Sequence, residues 1–335
     1  MRIESAVTAV SWIPSDIVAG YAKLPFSVRA MHFDPPPPDH IDDIAALYAG
    51  ERFRFANVLA AWIDVEGGRV VDSGYSGRSY ISRTHVTLPL GLGIVFQPAG
   101  FPELRGAPQV RDGEVRFVQT NGGRPGMPVP RPVTGSPHVQ WMAPTVWTTL
   151  SLTVRTDGSS HGELIGSSTF PRHWIYDAHG DLMSKSAATD SIEWFHSAFG
   201  PHTPWGGENS EPLVTAAETA LERELASAIM RGGARPTIER LTKGQTLVEQ
   251  GTPGAEIYLL LDGVMGVFVN GEQLAEVGPG AVMGERALLE GGHRTATLRA
   301  RTHCVVASAR ANQIDTDALR QLARQHRREG SAANA

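Results

Sequence analysis

The run Gly280-Ala281-Val282-Met283-Gly284-Glu285-Arg286-Ala287-Leu288-Leu289, followed after a short loop by Arg294-Thr295-Ala296-Thr297-Leu298, places together residue types that hold an anion beside a sugar. Gly284 lets the backbone approach a bound group closely, and 285–289 reads as a short helix whose first N–H groups face an anion. Arg294 supplies a planar, permanently charged fork that takes two phosphate oxygens at once, which a lysine does less specifically. Glu285 accepts hydrogen bonds but cannot donate them and repels a phosphate, so its matching partner is a sugar hydroxyl. A ligand with a phosphate next to a free sugar hydroxyl satisfies both side chains.

The elements that must position this run are mostly strands. Before it come short strand-like stretches at 245–248, 257–261, 263–269 and 274–277, each bounded by glycine or a polar turn. Upstream, Ala217, Leu221, Leu225 and Ile229 recur at four-residue spacing, with Glu218, Glu222, Arg223 and Glu224 on the flanks. Ser210 reads as its cap, Glu211 and Pro212 as its first turn, and Gly232-Gly233 as its end. From 61 to 185, alternating or β-branched runs at 61–65, 69–72, 82–88, 114–120, 146–154 and 172–176 are separated by turn residues, including Asn121-Gly122-Gly123 and Asp177 to Gly180. The expected fold is mainly β with a few helices: an N-terminal β-barrel or β-sandwich over 1–209, a connecting helix at 210–233, and a second strand-rich domain with flanking helices over 234–330.

The C-terminal segment resembles the cyclic-nucleotide-binding family, known from the catabolite activator protein and the regulatory subunits of cyclic-AMP-dependent protein kinase. The resemblance runs from about Ile238 to Ile314. It includes Gly244, Gln250-Gly251, Tyr258-Leu259-Leu260-Leu261-Asp262-Gly263, Gly278-Pro279-Gly280 and the Gly-Glu to Arg-Thr-Ala cassette. It implies that 234–330 is a β-roll (jelly-roll) with flanking helices that binds cAMP or cGMP as a regulatory ligand. Gly284, Glu285, Arg286 and Ala287 would meet sugar and phosphate, Arg294 the phosphate, Thr295 phosphate or base, and Ala296 would add a backbone N–H. Thr295 fits cGMP in some eukaryotic members, yet bacterial cAMP binders also carry a hydroxyl there; the reading leans to cAMP. In transcription factors of the family a helix-turn-helix follows. Here 21 residues follow Ile314, room for one helix at 315–328 that either lids the base or packs. In the N-terminal part, Ser11-Trp12-Ile13-Pro14-Ser15 and Phe170-Pro171-Arg172-His173-Trp174 resemble actinobacterial proteins with the same two-part layout, a resemblance that implies no activity.

Composition narrows the rest. A chain of 335 residues fits two domains, and 41% apolar with 19% charged residues is ordinary for a globular protein. Its apolar runs are too short to span a membrane, and its start lacks a secretory pattern, so a cytoplasmic location is expected. A net charge of −5 argues against nucleic acid as a partner; the cluster Arg320, Arg324, Arg327 and Arg328 reads as the cationic end of a helix. Cys304, the one cysteine, reads as a core residue. No His pair has metal-motif spacing, and Asp177, His179 and Asp181 suit a hairpin turn, so neither a metal nor a catalytic residue is assigned. Trp141, Trp147, Trp174 and Trp205 read as core before pocket, and 121–126 as a surface loop.

The leading expectation is therefore a non-enzymatic cyclic-nucleotide sensor acting on a protein partner, a second copy of the chain (a homodimer) included. One alternative is a cyclic-nucleotide-gated enzyme with its active site in the N-terminal β-rich domain, which a pocket with converging His173, Asp177 or Glu193 would favour and a solid core would disfavour. The other is a structural module with a vestigial site.

Overall fold

A computed structural model describes residues 1–324 except 15–17, 19–22, 30, 32, 88–91, 133–135, 137, 200–201, 232–235, 290–291 and 311–316. The chain divides into two units, Met1–Pro212 and Leu213–Ala335.

The N-terminal unit is the sandwich of the two architectures expected. One sheet runs in the order Leu182–Ser186, Arg172–Tyr176, Arg2–Trp12, Phe55–Glu66, Arg69–Ser76, with Tyr80–Ile81 also on Phe55–Glu66. The other runs Ser160–Ser167, Val146–Arg155, Glu114–Arg124, with short strands along its edge. The central strands of the two sheets pack face to face. Along Phe55–Glu66, burial alternates from Asn57 onward and takes in Leu59, Ala61, Ile63 and Val65, the period-2 pattern of one face turned to a core. Amides also cross the interior: Asn57 Nδ2 donates to Thr148 O at 3.0 Å, and Gln119 Nε2 donates to Asn57 Oδ1 at 2.8 Å.

The structure corrects one sequence expectation here. Asn121, Gly122 and Gly123 are not a turn opening a surface loop; they continue the strand Glu114–Arg124 and are buried. A Cβ on Gly122 would overlap Val146 O and Trp147, and one on Gly123 would overlap Ala99 O, so glycine there serves close backbone approach between neighbouring strands. The Asp177 to Gly180 turn is as read: Asp177 Oδ1 accepts from the backbone N–H of His179 at 2.9 Å and of Asp181 at 3.0 Å.

The C-terminal unit is a β-roll of two four-stranded sheets. One is ordered Thr237–Leu241, Cys304–Arg310, Glu256–Asp262, Val282–Met283; the other Thr246–Val248, Thr297–Ala300, Met265–Val269, Glu272–Val277. Along Glu256–Asp262, Tyr258 and Leu260 face an inner core with Met265, Leu298 and Val306. Ile257 and Leu259 face the other way, onto Leu225, Ile229, Leu319 and Leu322. One strand thus closes the roll and seats the helices, because its side chains alternate. Cys304 is 2% exposed and burial pushes its thiol pKa up, as suits a core residue.

The helix that seats Leu225 and Ile229 is Ala220–Arg231, ten residues shorter at its start than the sequence pattern suggested. Thr219, not Ser210, caps it. Glu222 N donates to Thr219 Oγ1 at 3.2 Å while Glu222 Oε2 accepts from Thr219 N at 2.8 Å, a reciprocal capping box that Ser210 with Leu213 at the third position could not form. Val214–Ala216 is extended. The Gly232-Gly233 stop lies outside the described residues. Of the terminal helix, residues 317–324 are described and bury Leu319 and Leu322 against the roll. Arg320 in it pairs with Asp317 at 2.6 Å, while Arg327 and Arg328 lie outside the described residues. Among the described residues no helix is long and apolar enough to cross a membrane.

Candidate functional site

Arg294 is aimed by a loop zipped to its neighbour. Gly251 N donates to Arg294 O at 2.7 Å, Arg294 N to Thr252 O at 2.8 Å, and Gly254 N to Gly292 O at 3.0 Å. These bonds fix the Arg294 backbone and send its side chain between Gly254 and Gly284. A Cβ on Gly254 would overlap Arg294 Nε and Cζ, and one on Gly284 would stand 2.7 Å from Nη1. Gly284 also has φ +91°, a conformation that side-chain-bearing residues rarely adopt. It follows directly on Val282–Met283, which pairs with Tyr258 and Leu259.

The guanidinium is 3% exposed and its charge is answered within the chain. Nη1 donates to Glu256 O at 2.9 Å, and Nη2 to Glu256 Oε2 at 3.2 Å and to Tyr258 Oη at 3.3 Å. Cζ also lies 5.1 Å from the Tyr258 ring centroid. Burial raises the Tyr258 pKa, outweighing the opposing pull of Arg294, so the phenol stays neutral and its oxygen accepts. A buried cation left without a partner is costly, and the half-exposed Glu256 carboxylate supplies one that an incoming anion can displace.

Every site residue expected from the sequence lines one cavity of about 810 Å³: Gly284, Glu285, Arg286, Ala287, Arg294, Thr295 and Ala296. That volume is within the range of small-molecule sites. Glu285, 5% exposed, opens the helix Glu285–Leu289 beside Arg294. Val267, Val269 and Leu274 give the cavity an apolar wall, and Thr215, Glu218, Thr219 and Glu222 close it from the segment before and at the start of Ala220–Arg231. Sequence reasoning missed three contributors: Glu256 as the partner of Arg294, Gly254 as its bed, and this upstream wall. Thr252-Pro253-Gly254 carried only a turn signal, and the helix pattern drew attention to apolar positions instead of the polar ones before them.

In the N-terminal unit His173, Asp177 and Glu193, whose convergence on a pocket would have favoured the enzyme alternative, do not share a surface. His173 is 0% exposed, with Nε2–H donating to Ser168 O at 2.8 Å and Nδ1 accepting from Ser11 Oγ at 2.7 Å. Asp177 serves its turn, and Glu193 is exposed on the helix Ser191–Ser197. Trp147 and Trp174 are core, whereas Trp141 is 70% exposed and Trp205 donates from Nε1 to Pro102 O at 2.8 Å.

Comparison with known proteins finds likenesses for the C-terminal part of the chain. The cyclic nucleotide-binding domain model matches residues 238–326. A cGMP-dependent protein kinase of Plasmodium berghei (strain Anka) is 39% identical over 64 residues, 19% of this chain and 8% of that protein, so the chain spans a small part of the relative's length. Among solved structures, the N-terminal domain of a transcriptional regulator from Streptomyces coelicolor A3(2) is 26% identical, covering 35% of this chain and 86% of that one with a TM-score of 0.25. A cyclic nucleotide-binding domain from Methylobacillus flagellatus KT is 27% identical over 28% of this chain and 53% of that one, with a TM-score of 0.21. The C-terminal part of this chain, residues 238–326, belongs to the cyclic nucleotide-binding domain family.

Proposed function

We propose that this protein is a cyclic-nucleotide sensor of the cytoplasm, in which a cyclic nucleotide monophosphate bound by the C-terminal unit changes how the N-terminal unit meets a protein partner. The observation that carries the reading is the convergence of Gly284, Glu285 and a buried Arg294 on one nucleotide-sized cavity. The phosphate takes the Arg294 fork, the ribose hydroxyl takes Glu285, and backbone N–H groups of 285–287 and Ala296 complete the seat. The ligand's charge replaces that of Glu256, which swings toward water. Binding then shifts a conformational equilibrium only as far as the two states differ in affinity. Isothermal calorimetry with cAMP and cGMP on folded protein tests this; absence of heat with both would remove it.

Two substitutions probe the seat. Gly254→Ala adds a methyl where the guanidinium lies and demands no unusual backbone angle, so the fold is expected to survive while Arg294 is displaced. We expect about a tenfold loss of nucleotide affinity, about 1.4 kcal/mol, with little change in melting temperature. A variant that binds like wild type would show that the guanidinium need not rest on Gly254. Glu256→Gln removes the competing charge and keeps the shape, and affinity should rise about threefold. If calorimetry records weaker binding instead, Glu256 orients Arg294 for the phosphate and does not compete with it.

A further inference from the structure

Two ribbons stand outside the two sheets of the N-terminal sandwich. One pairs Thr84–Thr87 with Gly93–Phe96, the other Val129–Pro132 with Val139–Met142. Their roots meet at one point. The first leaves the sheet after Ile81, which pairs with Phe55, and returns at Ala99, which pairs with Arg124. The second leaves after Arg124 and returns at Val146, which pairs with Gly123. A Cβ on Gly123 would stand 2.7 Å from Ile81 Cδ1 and overlap Ala99 O, and Thr84 Oγ1 donates to Pro125 O. Both hairpins are therefore rooted at the same end of the sandwich.

They carry large apolar side chains in water: Leu92 is 64% exposed, Ile94 42%, Val95 43%, Val139 44% and Trp141 70%. Val139 and Trp141 share a face of their strand, with the exposed Pro130 opposite Trp141. A two-stranded hairpin is marginal in water, and side chains left in solvent do nothing to hold it. The charge around them is one-sided. Segments 78–99 and 124–146, which contain both hairpins, carry Arg78, Arg83, Arg124 and Arg131 and not a single Asp or Glu, in a chain of net charge −5. Glu51, from outside these segments, pairs with Arg83 at 2.8 Å.

We propose that the two hairpins dock the protein on an anionic lipid surface, without spanning it; this goes beyond the nucleotide reading and is independent of it. Trp141 enters the headgroup layer, where an indole rests best, and Leu92, Val95 and Val139 enter beside it. The acid-free segments are drawn by the negative surface potential of such a membrane, and the rest of an acidic chain is turned away from it. Shape favours lipid over a protein face. A specific protein interface needs about 800 Å² of matched surface on each side, whereas apolar side chains divided between two separate ribbons present points, to which a fluid layer adapts.

Co-sedimentation of the full chain with vesicles of phosphatidylcholine and phosphatidylglycerol in equal parts, and of phosphatidylcholine alone, tests this. Wild type is expected to bind the mixed vesicles about tenfold more tightly, and the difference should shrink at about 0.5 M salt. Trp141→Ala and, on the other hairpin, Leu92→Ser should each lower the partition to mixed vesicles about tenfold. Melting temperatures should not change, since both side chains already lie in water. Wild type that stays in the supernatant with mixed vesicles at low salt would overturn the proposal, as would binding that neither substitution weakens. Sedimentation velocity without lipid separates the other occupant: a wild-type dimer that either substitution dissociates would assign the hairpins to a second copy of this chain and overturn the lipid surface.

Discussion

Replacing Arg294 by alanine is expected to cost about 2 to 5 kcal/mol of nucleotide binding, a loss of about 30-fold to a few thousandfold, because the ligand's phosphate is left desolvated without its counter-charge. The fork is 3% exposed, so little water is available to substitute for it. Its removal should be mild for the fold, since Glu256 has 48% of its side chain in solvent and rehydrates when its partner is gone. Arg294→Lys should fall between, keeping the charge and losing the bidentate geometry. Calorimetry on variants with unchanged melting temperature decides the matter; an affinity equal to wild type in Arg294→Ala would place the ligand elsewhere.

The second large effect is on stability and lies in the N-terminal unit. Burial lowers the His173 pKa from 6.5 to about 4, with the Ser168 carbonyl opposing weakly. The sign follows from linkage: the unfolded chain takes up a proton near pH 6.5 and the folded one refuses it until about pH 4, so stability is full above pH 6.5 and falls between those values. At about 1.4 kcal/mol per unit the loss is about 3 kcal/mol. All seven tryptophans precede residue 206, so tryptophan fluorescence reports the N-terminal unit alone. Urea titrations at pH 7 and pH 4.5 should show the fall, and His173→Gln, which keeps a donor for Ser168 and an acceptor for Ser11, should flatten it. A wild-type pH dependence no steeper than that of the variant would assign the acid sensitivity to carboxylates. A histidine titration near 6.5 followed by NMR would sink the idea directly.

Much of the C-terminal site was legible because its determinants are local. Gly284 and Glu285 are adjacent, Arg294 to Ala296 follow within one loop, and a strand, turn and short helix suffice to bring them together. The apolar run 257–261 likewise read as a strand, and its burial on both faces is what the structure adds. Asn121-Gly122-Gly123 misled for the opposite reason. A glycine in a turn and a glycine between crowded strands look alike along the chain, and only the neighbours at Ala99 and Val146 tell them apart.

Residue types and short spacings along the chain were enough to mark the strands, the short helix and the run from Gly284 to Ala296 at the C-terminus, and the family resemblance of that run implied the β-roll. What surrounds the run emerged only once the chain was folded. The partner of Arg294 comes from 38 residues away, the cavity wall at 215–219 from outside the domain match, and the neutrality of His173 from its burial beside Ser11, 162 residues distant. Charge and desolvation act through space, so pairings set by strand register and helix entry stay hidden until the chain is folded.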